Sequence, residues 1–168
     1  MINIVAMLTR LLNVLHHLRQ YIESLLFMNN LVYDNHFQVE WGGDRRDFTE
    51  VIGLSAIREV VETKSGDQKA PFVQKTPGDE QYPNIILRRY LNRGDNQMFE
   101  WWMRQSAVED LRTVIIKLLN KQHEPVFIWE LTNAFPARIS YSPFSAKKAQ
   151  PVIEEIELSF DSMRVSIP

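Results

Sequence analysis

Cysteine is absent from this 168-residue chain. Disulfides and thiolate metal sites are thereby excluded, and the absence fits folding in a reducing cytoplasm. A surplus of one charge sign is also lacking. Nineteen Lys and Arg stand against 21 Asp and Glu, a formal net charge of -2, too small to imply electrostatic capture of nucleic acid or of an anionic membrane. Long apolar runs are missing as well. Arg10, His16, His17, Arg19 and Glu23 interrupt the first 27 residues, so no ordinary membrane-spanning helix and no stable membrane insertion is expected. No small-residue cleavage site follows an apolar stretch, so a signal peptide is not expected either.

The common catalytic signatures are missing too: no Gly-rich phosphate loop, nucleophile elbow or dinucleotide fingerprint occurs. The four histidines, His16, His17, His36 and His123, do not fall at metal-ligand spacing with another His or a carboxylate on one helix face. His123 lies in a predicted hairpin loop and reads as a solvated side chain. Glu154, Glu155 and Glu157 read as the charged face of a terminal strand rather than as paired acids. Trp101 and Trp102 read as packing residues rather than as a stacking platform for a sugar or base. No catalytic, cofactor-binding or metal-ligating residue is assigned, and the chain is not expected to be an enzyme.

What is present is an ordinary globular composition, 45% hydrophobic and 24% charged, in a length that suits one domain with one core. Before it comes a distinct segment. Ile4, Leu8, Leu11, Leu15, Leu18, Ile22 and Leu25 recur at alternating steps of four and three, a helical stripe of coiled-coil type. Two readings stand. Residues 1–30 form an amphipathic helix that needs a partner surface, or translation begins at Met28 and the upstream residues are not part of the protein. The domain proper is placed at residues 31–168.

From His36 onward the texture changes to period two. Residues 36–41 alternate polar and apolar and read as a strand ended by Gly42, Gly43 and Asp44. Residues 47–52 and 56–63 read as the next two strands. The polar stretch from Lys64 to Pro83, with Gly66, Pro71, Pro77, Gly78 and Pro83, reads as a long loop or extended arm, and loops of that length are commonly functional. A strand over 84–91 follows. Asp95 or Asn96 is placed to cap a helix over 97–111, with Met98, Trp101 and Trp102 on its apolar surface. Strands are expected over 113–119, 126–131, 138–141 and 152–160, with loops at 120–124 and 142–151. Phe127, Trp129 and Leu131 share one strand face. Seven or eight strands around one helix predict a mainly β, α+β fold: an antiparallel sandwich or barrel.

The order of the segments is more specific than any one of them. Phe37-Gln38-Val39-Glu40 precedes Phe48-Thr49-Glu50-Val51-Ile52-Gly53-Leu54. Lys75-Thr76-Pro77-Gly78 precedes Tyr82-Pro83-Asn84-Ile85-Ile86-Leu87-Arg88-Arg89. Met98-Phe99-Glu100-Trp101-Trp102, Trp129-Glu130-Leu131-Thr132-Asn133-Ala134-Phe135-Pro136 and Ile153-Glu154-Glu155-Ile156-Glu157-Leu158 follow. Over about residues 35–165 the series resembles the phage tail tube family, which includes tubes of contractile phages and of extracellular contractile injection systems. Two positions depart from the family pattern. Tyr90 stands where a glycine is common, and Pro143-Phe144-Ser145-Ala146-Lys147-Lys148 replaces a stretch that usually carries Asp and Asn.

The resemblance implies a fold similar to the type VI secretion tube protein Hcp. It implies six-membered rings whose inner sheets join into one barrel, stacked as a tube that a contracting sheath drives forward. The implied partners are further copies of the chain, sheath and baseplate proteins, and cargo in the lumen. The implied setting is synthesis in the cytoplasm and assembly into a phage tail or phage-tail-like particle. A baseplate-proximal tube initiator or adaptor ring of the same fold is the alternative, and a small β-barrel ligand-binding module or enzyme a more distant one. Within this frame the arm residues Lys64, Gln68, Phe72, Val73 and Lys75 are expected to reach a neighbouring subunit. Trp101, Trp102, Phe127, Trp129 and Leu131 are expected to form the packing between helix and sheet. No cofactor is implied.

Overall fold

The computed structural model describes residues 4–29, 31–64, 73–105 and 110–168. The chain divides after Asn35 into two compact units. The first holds helix α1 (Ile4–Asn29).

The second unit is antiparallel throughout. Its elements are β1 (Phe37–Trp41), β2 (Asp44–Arg46), β3 (Glu50–Ile52), β4 (Ile57–Lys64), β5 (Val73–Gln81), β6 (Ile85–Tyr90), α2 (Gln97–Arg104), β7 (Arg112–Leu119), β8 (Pro125–Tyr141), β9 (Ile153–Ser159) and β10 (Ser162–Ser166). The main sheet runs β2-β1-β7-β8-β9-β6-β3, with β10 also paired to β8, while among the described residues β4 and β5 pair only with each other. The main sheet does not close on itself, so the barrel alternative does not hold for the single chain. Its ends are the free edges of β2 and β3.

The long strand β8 makes the sheet fold over. Its first half lies between β7 and β10, and its second half pairs with β9 (Phe135 with Ser159, Tyr141 with Glu154). The bend falls at Asn133, whose φ is 55°, a left-handed conformation that asparagine tolerates better than most residues. Asn133 Nδ2 donates to Asp161 Oδ2 at 2.7 Å, and Asp161 N–H donates to Thr132 O at 3.0 Å, so the bend is tied to the β9–β10 junction. Asn133-Ala134-Phe135-Pro136 therefore does not end a strand. The register shift between Pro136 and Arg138 accommodates a residue that has no N–H to donate.

Alternation along the folded sheet points one face inward. Val39 and Trp41 of β1, Ile85 and Leu87 of β6, Val114 and Ile116 of β7, Leu131 of β8, and Ile156 and Leu158 of β9 join Met98 and Trp101 of α2 in one buried cluster. The sequence placed these strands well but missed three, β2, β5 and β10. β2 follows β1 through Gly42 and Gly43, both with positive φ, which is what a two-residue type I′ turn requires. β10 extends the chain past Phe160 along β8. Helix α2 is shorter than the 97–111 expected: it ends at Arg104 with Gln105 as its C-cap. Asp95, not the N-cap residue Asn96, supplies the capping oxygen, accepting the Gln97 N–H at 3.2 Å.

Candidate assembly surfaces

The segment read as a loop from Lys64 to Pro83 is in part a strand. β4 and β5 form a hairpin, with Lys64 opposite Val73 and Glu62 opposite Lys75. Lys64 is the last residue of β4, Val73 and Lys75 lie in β5, and Gln68 and Phe72 fall outside the described residues. Pro77-Gly78 is not a turn but sits inside β5 beside a register shift in β4 between Arg58 and Val60. A Cβ on Gly78 would lie 3.1 Å from Glu59 Cβ and 3.1 Å from Val61 Cγ2, so the close approach of the two strands favours glycine there.

A two-stranded ribbon is marginal on its own. This one is held by ion pairs, Lys75 Nζ to Glu62 Oε1 at 3.2 Å and Arg58 to Glu80, which contribute little at such exposed positions. Ile57, Val60, Val61 and Val73 are all exposed, Val60 to 58%. Exposed β-branched apolar side chains of this kind make the ribbon a candidate assembly surface.

The helix–sheet residues separate. Trp101 is 1% exposed. Its ring lies 5.0 Å from that of Trp41, Arg112 sits over it at 4.6 Å, and its Nε1 donates to Asp110 O at 3.0 Å. Trp102, in contrast, is 38% exposed and lies against Phe99 on the outer side of α2. The reason is the helical period: consecutive residues differ by about 100°, which turns Trp102 away from the narrow face that buries Trp101. Leu131 is buried, and Trp129 packs on the core edge. Phe127 stacks on Trp129 with centroids 5.9 Å apart.

A charged cluster that sequence reasoning missed pins α2 to the sheet. Arg89 of β6 and Glu154 of β9 are cross-strand partners, joined Nε to Oε2 at 2.8 Å, and Arg89 also grips Asp95 through Nη1 at 2.7 Å. Burial pushes the Asp95 carboxyl up, but hydrogen bonds from Arg89 and from the Gln97 N–H outweigh it and hold it below the usual range. Tyr141, opposite Glu154 in the ladder, is raised by its burial first and by the Glu154 charge second. At the other end of α2, Arg112 holds Asp110 through Nε–Oδ1 at 2.9 Å and Nη2–Oδ2 at 2.6 Å. This pairing lowers the Asp110 pKa against a smaller opposing effect of burial.

Two clefts flank α2. One of about 320 Å³ is lined by Trp41, Arg46, Gln97, Glu100, Trp101, Arg104 and Arg112, a set with no nucleophile–base pair. The second, wide and open, runs past Asp95, Phe99, Tyr141 and Phe144. Among the described residues no group of three His, Cys, Asp or Glu side chains converges as a metal site. The structure does bring His36 and His123 together, edge to face at 4.3 Å.

An open antiparallel sheet folded over one core by a shared long strand, with one short helix and a separate two-stranded ribbon, is the fold of a tail tube protein. The chain belongs to the T4-like virus tail tube protein gp19 family, whose model matches residues 33–164. Solved structures agree. The anti-feeding prophage cap (AFP tube terminating cap) is 26% identical at a TM-score of 0.74, over 82% of this chain and 92% of that one. The sheath/tube terminator of the PVC extracellular contractile injection system in the extended state is 25% identical at 0.72, over 81% and 96%. The PVC sheath-tube complex is 24% identical at 0.75, over 86% and 97%, and shows the shared fold. No match was found among curated proteins.

Proposed function

We propose that this chain is a structural subunit of the inner tube of a contractile phage-tail-like injection system. It forms six-membered rings that stack into a tube, and contraction of a surrounding sheath propels that tube. The observation that carries the reading is the tail tube family match over residues 33–164 on a sheet whose edges are unpaired among the described residues: β2 and β3 end it, and β4–β5 forms a separate ribbon. Such edges are what neighbouring subunits of a closed ring would cover. Further copies of the chain, sheath proteins and baseplate proteins are the partners this role requires, and the lumen of the tube is where cargo would travel. The role is structural, with no catalytic step.

Electron microscopy of the purified chain, alone and with sheath and baseplate components, tests the reading. Rings or tubes with a central channel support it; monomers under every condition at high concentration would overturn it. A second reading is favoured by the likeness to a tube terminating cap and to a sheath/tube terminator, at 26% and 25% identity: a ring at one end of the tube, whether terminator or baseplate-proximal adaptor. Long tubes distinguish a main tube protein from a terminal ring, which stops at one or two layers and binds tube ends.

A further inference from the structure

Helix α1 lies outside the matched family region, which starts at residue 33, and no part of the tube reading uses it. Its sequence carries more than a stripe. With Leu8, Leu15 and Ile22 at heptad position a, and Leu11, Leu18 and Leu25 at d, the flanking e and g positions are apolar too: Leu12, Val14, Tyr21 and Leu26. From Leu8 to Leu26 the remaining positions b, c and f take Thr9, Arg10, Asn13, His16, His17, Gln20, Glu23 and Ser24. The division is complete over these turns but for Arg19 at e, whose Nε is drawn to Glu23 Oε1 at 2.9 Å, off the apolar side.

The width of this face identifies its occupant. At 3.5 residues per turn, positions g, d, a and e sweep an arc of about 150°. A two-stranded coiled coil buries only the a/d seam and leaves e and g in water, where charged residues are the rule. A helix apolar at all four positions has two flanks to cover, so it touches two neighbours at once. The seven-residue period matches another helix rather than a flat sheet or a membrane surface. The polar face carries one arginine and one glutamate, Arg10 and Glu23, too little positive charge to favour anionic lipid. Identical helices meet no like-charge opposition on this face, since Arg19 is its one charge. Leu12, Leu15, Leu18 and Ile22 are 47–65% exposed, and such an area left bare would promote non-specific association.

We infer that α1 is a self-assembly module: the α1 helices of neighbouring copies form a parallel helical bundle, each helix flanked by two others, six in all. The number six and the parallel direction rest on the six-membered ring proposed above, because rotation about a ring axis points every copy the same way. The two-flanked arrangement rests on α1 alone.

The cysteine-free chain gives a direct test. In a parallel bundle a g residue faces the e′ residue five positions on in its neighbour, which here pairs Val14 with Arg19. The full-length V14C/R19C double variant is oxidised and run on a denaturing gel, with N13C/Q20C on the polar face as the control. Each two-flanked helix forms a disulfide on both sides. The expected result is a ladder rising to a six-chain band for V14C/R19C and monomer for the control. A V14C/R19C ladder that stops at two chains, an equal ladder from the control, or flotation of the parent chain with phosphatidylcholine–phosphatidylglycerol vesicles would overturn the inference. Microscopy of the same samples separates the two claims. Rings without a ladder sink the bundle and leave the ring standing. A ladder of three or more without rings sinks the ring and the number six but upholds the two-flanked bundle.

Discussion

Arg89 and Glu154 are cross-strand partners on β6 and β9 whose charged groups meet inside the core, Nε to Oε2 at 2.8 Å, at 4% and 0% residue exposure. Arg89 is the hub, since its other nitrogens hold Asp95 and through it the start of α2. Removing one partner of a buried pair strands the other charge, at a cost of about 3–5 kcal/mol. Arg89→Met, which leaves the buried Glu154 carboxylate without its guanidinium, is therefore expected to lose a large part of a typical domain's stability, roughly 5–15 kcal/mol in total, in chemical denaturation. The double variant Arg89→Met/Glu154→Leu is expected to be more stable than Arg89→Met alone, because it also removes the buried Glu154 charge and leaves only the partly exposed Asp95 without its arginine. A double variant no better than the single would mean that the pair is not the source of the loss.

The two adjacent tryptophans are expected to behave differently. Trp101 is enclosed by Trp41, Arg112 and the core, whereas Trp102 meets solvent. Trp101→Ala costs about 3–5 kcal/mol by cavity formation. Trp102→Ala costs clearly less, and its fluorescence contribution is the one accessible to a soluble quencher. Equal denaturation midpoints for the two variants would contradict the assigned orientation of α2.

The difference between what could and could not be read from sequence follows the range of the interactions. Period-two runs such as Phe37–Trp41 and Ile85–Tyr90 announce themselves, because each residue's face is set by its neighbours two away. β8 does not, because Asn133 and Pro136 look like terminators in isolation. Only the distant Asp161 and the β9–β10 ladder show that the strand bends there and continues. β5 was hidden for a similar reason: Pro77-Gly78 reads as a turn until Glu59 and Val61 are seen across the ribbon. The Arg89–Glu154 pair joins residues 65 apart in sequence, and each alone looks like an exposed strand charge. The surplus width of the α1 face was legible throughout, since it depends only on heptad position.

Acid should loosen both ends of α2. Asp95 and Asp110 have pKa values lowered from 3.8 in the folded chain. Between that lowered value and 3.8 the unfolded state binds more protons than the folded one, so stability rises with pH. The contribution is complete above 3.8 and is lost as pH falls through the folded values. Asp95→Asn is therefore expected to be less stable than the parent at pH 7, with the gap narrowing below pH 3.8. Denaturation curves across this window check the sign. A gap that widens on acidification would show that Asp95 is not held ionised by Arg89 and the Gln97 N–H.

The β4–β5 ribbon makes the sharpest separation between folding and assembly. Ile57, Val60 and Val61 are exposed, and among the described residues neither β4 nor β5 pairs with the main sheet. Substitutions at such positions change a single chain's stability by about 0.5 kcal/mol or less, because little is buried to be lost. In an assembly the same side chains would be covered, and each apolar group removed from water contributes roughly 25 cal/mol per Å². The triple variant I57S/V60S/V61S is expected to keep the parent's circular dichroism and thermal midpoint while losing rings and tubes under conditions where the parent forms them. Gly78→Val acts in the opposite sense, since its side chain would collide with Glu59 and Val61 and distort the ribbon itself. That variant should lose assembly together with local order, visible as faster amide exchange over β4 and β5. If the serine variant builds tubes at the parental rate, the ribbon is not a contact between subunits, and the free edges of β2 and β3 would have to carry the assembly without it.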